Sequence, residues 1–177
     1  LSEAASIFDP IGLISFAVTP GRLLVQRCFR EDLKWDDPLP EHIMNDVENW
    51  ISRLSSLKDV HFQRNFTLSA SPLERTLHVF VDASQFVYAT VAFIRTVYED
   101  GLVDVRLVGS KSRLAPLHGL SIPRMELCSC LIGARLANSI TAELDLKLDA
   151  ITYWSDSTAT LGYIRNRRTR FVVFVGN

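Results

Sequence analysis

The chain has 177 residues, 47% hydrophobic and 22% charged, a composition typical of folded globular proteins and unlike that of disordered or low-complexity chains. Its 19 lysines and arginines against 20 acids give a net charge of −1, which excludes a general electrostatic attraction to nucleic acid or anionic lipid. The 3 cysteines lack a framework spacing, which favours a reducing, intracellular compartment. Because no uncharged stretch approaches the roughly 18 apolar residues of a membrane span, we expect no membrane contact.

The first third of the sequence has helical periodicity. Thr19 followed by Pro20 predicts the start of one helix, since threonine is a common N-cap and proline fits a first turn. A second helix follows Pro40, with an apolar stripe that recurs at helical spacing from Ile43 to Leu57. We therefore predict two helices that fold back on each other.

A polar segment then interrupts the pattern. Residues 61–75 carry no long apolar period, so we predict a linker there. This divides the chain into a helical segment, residues 1–60, and a second domain, residues 76–177. Since the chain starts with Leu1 and lacks a signal peptide, we expect it to be part of a longer protein.

After the linker the period becomes that of β-strands. Residues 77–82 are apolar on both faces and end in Asp82, which predicts a central strand. Two more strands, 87–95 and 102–110, are separated by a turn at Asp100 and Gly101. These three strands are expected to form an antiparallel meander.

A long helix, one strand and a short helix complete the prediction. The helix opens at Ser121 and Pro123 and carries small residues on one face, so that it can approach a sheet closely. Residues 150–154 form a strand before Asp156, and a helix follows, capped by Ser157 or by Asp156 itself. The predicted fold class is α/β: helices, then a mixed sheet of three antiparallel strands and one parallel strand.

This order of elements brings three acids together. In a meander the third strand runs parallel to the first, so the helix that carries Glu126 begins at the edge where Asp82 ends its strand. A right-handed crossover makes the strand before Asp156 finish at the same edge. Three clustered carboxylates repel one another, and a hard cation such as Mg²⁺ or Mn²⁺ would neutralise them. Two such ions together can catalyse the hydrolysis of a phosphodiester.

The sequence resembles a known family at these positions. The strings VDAS, SKSRLAPLHGLSIPRMELCSCLIGARL and YWSDSTATLGYI are similar to the ribonuclease H region in the polymerase (Pol) polyprotein of BEL/Pao-type retrotransposons. Near the front, SIFDPIGLISFAVTPGRLLVQRCF and LKWDDPLP resemble the thumb and connection segment that follows the reverse-transcriptase palm. The similarity extends over essentially the whole chain.

The resemblance implies a ribonuclease H-like domain that hydrolyses the RNA strand of an RNA/DNA hybrid with two Mg²⁺ or Mn²⁺ ions. Asp82, Glu126 and Asp156 would be the first three of the family's four metal-binding, catalytic carboxylates. The fourth has no counterpart here, which predicts a domain truncated at the C-terminus. The implied partners are the hybrid and the rest of the polyprotein, with the palm upstream and the remainder of ribonuclease H and integrase downstream. The implied location is a cytoplasmic virus-like particle with access to the nucleus.

Basic residues near the acids are candidates for contact with nucleic-acid phosphates. They are Lys111, Arg113, Arg124, Arg165, Arg167, Arg168 and Arg170. For the arginines after the last helix, the alternative is a solvated helix end, where positive charge is favoured by the helix dipole.

Simpler interpretations stand beside the catalytic one. Taken singly, Asp82 and Asp156 fit a strand-end turn and a helix cap, and Glu126 fits an ordinary first-turn acid. For the whole chain, the alternatives are a non-catalytic, connection-type nucleic-acid-binding module and an inactive, decayed retroelement fragment. For Trp50 and Trp154, core packing is favoured over base stacking.

Overall fold

The computed structural model describes residues 6–61, 71–166 and 174. These residues fall into two compact units. The first unit contains residues 6–10 and 14–61, and the second contains residues 11–13 together with everything described from residue 71 onward. The boundaries predicted from the sequence, 1–60, 61–75 and 76–177, stay a prediction, since residues 62–70 lie outside the described part.

The first unit is helical. Helix α1 spans Ser15–Arg30, helix α2 spans Glu41–Leu54, and a 3₁₀ turn, Ser55–Asp59, continues directly from α2. The two helices meet where the Trp50 ring packs on Gly21, and the Trp50 Nε1–H donates a 2.7 Å hydrogen bond to the carbonyl of Ala17. The prediction that Trp50 is a core residue is confirmed.

The predicted start of the first helix is wrong. Helix α1 begins at Ser15, and Pro20 lies inside it, although proline lacks the N–H that would bond four residues back. The first turn of α1 is held by hydrogen bonds to the Ile14 carbonyl, which accepts from the backbone N–H groups of Ala17 and Val18. Pro20 therefore removes one hydrogen bond near the N-terminus of α1 without ending the helix.

The second unit is built on a four-stranded sheet, whose strands are β1 (Pro72–Ala83), β2 (Val87–Tyr98), β3 (Val103–Leu114) and β4 (Ala150–Trp154). Their order in the sheet is β3-β2-β1-β4. The first three pair antiparallel, and β4 pairs parallel to β1. The predicted α/β class with a mixed sheet is confirmed, and β1 is central as expected.

Strand β1 begins at Pro72, earlier than the sequence predicts. Its polar first half is held by a distant loop, because the Arg75 N–H donates to Asp149 Oδ2 at 2.8 Å and the Asp149 N–H donates to the Arg75 carbonyl at 2.8 Å. The last residues of the predicted linker therefore belong to the sheet.

Helix α3, Ile122–Glu143, covers one face of the sheet. Gly133 allows the close approach, since a Cβ atom there would lie 2.6 Å from Val81 Cγ1. The core beneath the helix consists of Leu77, Val79, Val81, Ala92, Ile94, Val108, Leu136, Ala137 and Ile140. Helix α4, Thr158–Arg165, follows β4 and is capped by Ser157, whose Oγ accepts from the Thr160 N–H at 3.3 Å. None of the helices in the described ranges has an apolar stretch long enough to cross a membrane.

The other face of the sheet carries a row of partly exposed rings. Trp154 stacks between Phe80 and His78, with ring centroids 5.9 Å and 6.0 Å apart. The Trp154 Nε1–H donates to His78 Nδ1 at 3.1 Å. Because Trp154 is 47% exposed, the expectation that it packs in the core is wrong.

Candidate metal centre

Three elements of the second unit end or begin at one edge of the sheet. Asp82 is the next-to-last residue of β1, and Asp156 comes two residues after the end of β4. Since β1 and β4 are parallel, both strands end at this edge. Strand β3 also runs parallel to β1, so α3 starts here and places Glu126 in its second turn.

The three carboxylates meet at this edge. One carboxylate oxygen from each of Asp82, Glu126 and Asp156 lies within 4.8 Å of the other two. We call these residues the carboxylate cluster. Asp82 and Asp156 are exposed, whereas Glu126 is buried, so the cluster is buried on the side of Glu126 and open to solvent on the side of the two aspartates. The structure thus brings together the acids that the sequence predicts, and their role as ligands stays a prediction.

Glu126 is the unusual member of the cluster. The residue is only 7% exposed, and its Oε2 has no hydrogen-bond partner among the described residues. Burial raises the pKa of Glu126, the charges of Asp82 and Asp156 raise it further, and the backbone N–H of Ala83 lowers it in part. A buried carboxylate beside two others needs a positive charge to be stable in its ionised form.

The donor set suits a divalent cation of the hard type. All three side chains offer oxygen, and no histidine or cysteine of the described residues joins the cluster. Oxygen-only sets fit Mg²⁺ or Mn²⁺ better than zinc or copper. The buried Glu126 Oε2, which lacks a protein donor, supplies an oxygen that such an ion would satisfy. The residues therefore fit the metal that the sequence predicts.

The site contains a backbone group that the sequence does not predict. The Ala83 N–H donates to Asp82 Oδ1 at 2.7 Å and also acts on the carboxylate of Glu126. This N–H therefore orients Asp82 and lowers the pKa of Glu126 in part. No side-chain motif signals this contact, because the donor belongs to the main chain.

The basic residues predicted to bind nucleic acid occupy different places. Lys111 and Arg113 are exposed near the C-terminal end of β3, and Arg165 is the exposed last residue of α4. The Arg124 guanidinium lies 5.0 Å from the centre of the Phe174 ring. Arg167, Arg168 and Arg170 lie outside the described residues, and nucleic-acid contact by any of the seven stays a prediction.

Comparison with known proteins supports the resemblance seen in the sequence. The chain matches the Pao retrotransposon-like RNaseH-like domain over residues 1–157. A search among curated proteins gave no match.

A solved structure described as foamy viral protease-reverse transcriptase dRH in complex with ds DNA is similar with a TM-score of 0.39 and 14% identity. That similarity covers 90% of this chain and 28% of the foamy viral chain. The predicted family is confirmed by the match over residues 1–157: this chain belongs to the Pao retrotransposon-like RNaseH-like domains.

Proposed function

We propose that this chain is a metal-dependent nuclease domain of a Pao-type Pol polyprotein and that it hydrolyses the RNA strand of RNA/DNA hybrids. The observation that carries the proposal is the carboxylate cluster, in which the buried Glu126 has an oxygen without a partner in the described structure. Asp82 and Asp156 remain open to solvent beside it, so a phosphodiester can approach.

Asp82, Glu126 and Asp156 would hold two Mg²⁺ or Mn²⁺ ions. When bound, such ions lower the pKa of water and stabilise charge on the leaving oxygen of a phosphodiester. In the reaction, water adds its oxygen to phosphorus and the bond from phosphorus to the 3′ oxygen breaks, which leaves a 5′-phosphate and a 3′-hydroxyl.

The chain itself contributes position and charge. The packing of α3 on the sheet fixes Glu126, while the Ala83 N–H orients Asp82 at 2.7 Å. Asp156 is fixed by its place between the end of β4 and the Ser157 cap of α4. Preorganised ligands of this kind lose no orientation entropy when the substrate binds.

RNA would be distinguished from DNA by its 2′-hydroxyl and by the shape of the duplex, without base reading. In the parent polyprotein, the palm would lie upstream and integrase downstream, and the particle in the cytoplasm would be the site of action. These partners and this location are part of the proposal.

The test is cleavage of an RNA/DNA hybrid labelled at the 5′ end of the RNA, with Mg²⁺, with Mn²⁺ and with EDTA. We expect the chain to cut RNA only with metal. Asp82→Asn, Glu126→Gln and Asp156→Asn should each lower the rate by on the order of 100-fold or more, since even residues that merely support metal ligands contribute 10- to 100-fold. The matched control is Asp145→Asn, an exposed acid of the same unit outside the cluster.

Two results would overturn the proposal. One is metal-dependent cleavage that survives all three substitutions, which would indicate a contaminating nuclease. The other is a folded protein that binds hybrid and never cuts it. This second result would support the non-catalytic binding module, an alternative favoured by the presence of three carboxylates, rather than four, among the clustered residues of the described chain.

A further inference from the structure

The end of strand β3 carries a basic pair beside the candidate site. Lys111 and Arg113 are two residues apart, so they lie on the same face of β3, and both are exposed. Across the sheet, Arg113 pairs with Tyr88, which pairs with Ala83, the residue after Asp82. The basic pair and the carboxylate cluster therefore lie at the same end of the sheet.

The pair flanks helix α3. Lys111 is opposite Thr90, and Thr90 faces α3, since a Cβ atom on Gly133 would lie 3.2 Å from its Oγ1. Arg113 lies on the same face of β3 as Lys111, so a cationic surface runs beside the helix at the end of the sheet that carries the cluster.

Arg113 differs from Arg95 and Arg106 of the same unit in its partners. The Arg95 Nη1 lies 3.4 Å from Glu74 Oε2, and the Arg106 Nε lies 2.6 Å from Asp104 Oδ2. Within the described residues no carboxylate forms an ion pair with Arg113. Its guanidinium is thus an exposed, uncompensated charge next to a site for a polyanionic substrate, and arginine binds phosphate oxygens well through its two-pronged donor geometry.

We propose that Arg113, assisted by Lys111, binds a backbone phosphate of the nucleic-acid strand that reaches the carboxylate cluster. This inference rests on the proposed function, because it assigns the substrate's path at the same site. Strand β3 is two strand spacings, about 10 Å, from β1. At 3.4 Å of helix axis per phosphate in one strand, the contacted phosphate lies roughly three nucleotides from the phosphate at the cluster.

The experiment measures binding of a short, fluorescently labelled RNA/DNA hybrid by anisotropy over a series of KCl concentrations. EDTA is present, so that binding is separated from cleavage. Each lost phosphate contact should reduce the slope of log K against log salt by about 0.9. If the wild type and Arg113→Gln bind equally at 1 M salt, this change in slope makes the variant bind about eightfold more weakly at 0.1 M salt. Lys111→Gln combined with Arg113→Gln should lower the slope further.

Two further variants control for charge and folding. Arg95→Gln removes the same charge from the same unit but from an arginine paired with Glu74, and it should leave the slope unchanged. Arg113→Lys retains the charge and should retain the slope, which separates phosphate contact from a packing role. Thermal melts check that every variant is folded.

The inference is overturned by an unchanged slope in Arg113→Gln, by an equal loss in Arg95→Gln, or by a wild-type chain that does not bind hybrid at low salt. Failure of the proposed function is a separate result. If binding depends on Arg113 and metal never produces cleavage, the phosphate contact stands and the nuclease activity fails.

Discussion

The surroundings of Glu126 disfavour a negative charge on its carboxyl group. Burial and the neighbouring charges of Asp82 and Asp156 raise its pKa above the ordinary value of 4.5. In the unfolded chain the same group ionises near that ordinary value. Its contribution to stability is therefore fully present below pH 4.5 and is lost as the pH rises through the pKa of the folded state. Without metal, ionised Glu126 destabilises the fold at neutral pH.

A neutral substitute for Glu126 tests the sign of this effect on stability. In EDTA at pH 7, Glu126→Gln should melt at a higher temperature than the wild type, because a neutral amide removes the repulsion and can donate to a neighbouring carboxylate. Each kcal/mol gained raises the melting temperature by about 2–4 °C for a chain of this size. The difference should shrink below pH 4.5, where wild-type Glu126 is protonated. Circular dichroism melts across this pH range provide the measurement.

The control for the Glu126 melts is Asp145→Asn, which removes one negative charge from an exposed position. If that variant is stabilised equally, net charge and not the environment of Glu126 is responsible. A lower melting temperature of Glu126→Gln at pH 7 would contradict the predicted sign.

The sequence could place the three acids but not their different surroundings. Asp82 follows an apolar run and Asp156 precedes a capped helix, so both could be assigned to the edge from topology. Whether Glu126 is buried depends on how far α3 extends over the sheet, which is a tertiary property. The contact of the Ala83 N–H likewise depends on the path of the main chain after Asp82.

Helix α3 packs closely on the sheet because small residues lie between them. Gly133 is already in contact, because a Cβ atom there would lie 2.6 Å from Val81 Cγ1 and 3.4 Å from Val79 Cγ1. Both valines are buried members of the core on strand β1. An added methyl group would therefore push the helix away from the sheet.

The prediction is that Gly133→Ala destabilises the protein by about 1–3 kcal/mol, the usual cost of overpacking a core. The matched control is Gly162→Ala in helix α4, where nothing lies within 4 Å of the new Cβ. Alanine is favoured over glycine in a helix by up to about 1 kcal/mol, so this variant should be as stable as the wild type or more so. Urea unfolding curves of the two variants measure the difference, and equal destabilisation of both would contradict the packing argument.

Element types were predictable and element boundaries less so. Helical and alternating periods identified the helices and strands of both units, and the turn at Gly101, with a φ of +81°, was placed by its Asp-Gly pair. The start of α1 was misplaced because Pro20 is tolerated inside the helix. The start of β1 was misplaced because its first residues are held by Asp149, 74 positions from Arg75. Such long-range contacts leave no local signal.

The topology of the sheet explains the convergence of the three acids better than any single motif does. The order β3-β2-β1-β4, with one parallel pair, makes β1 and β4 end together and α3 begin at the same edge. The exposed rings of Phe80 and Trp154 on the opposite face were not predicted. Alternation in a strand separates two faces but does not tell which of them another element covers.

Since the carboxylate cluster joins β1, α3 and the segment after β4, a bound cation should stabilise the second unit as a whole. A ligand that binds only the folded state adds about 1.4 kcal/mol when its concentration is ten times its Kd. We expect Mg²⁺ or Mn²⁺ to raise the melting temperature of the wild type at pH 7, relative to KCl of equal ionic strength. Asp156→Asn should weaken this response. Glu126→Gln should be more stable than the wild type in EDTA and yet gain little from metal, a reversal that a merely structural acid would not produce. An equal rise in the wild type and in both variants would show that the ions act elsewhere on the chain.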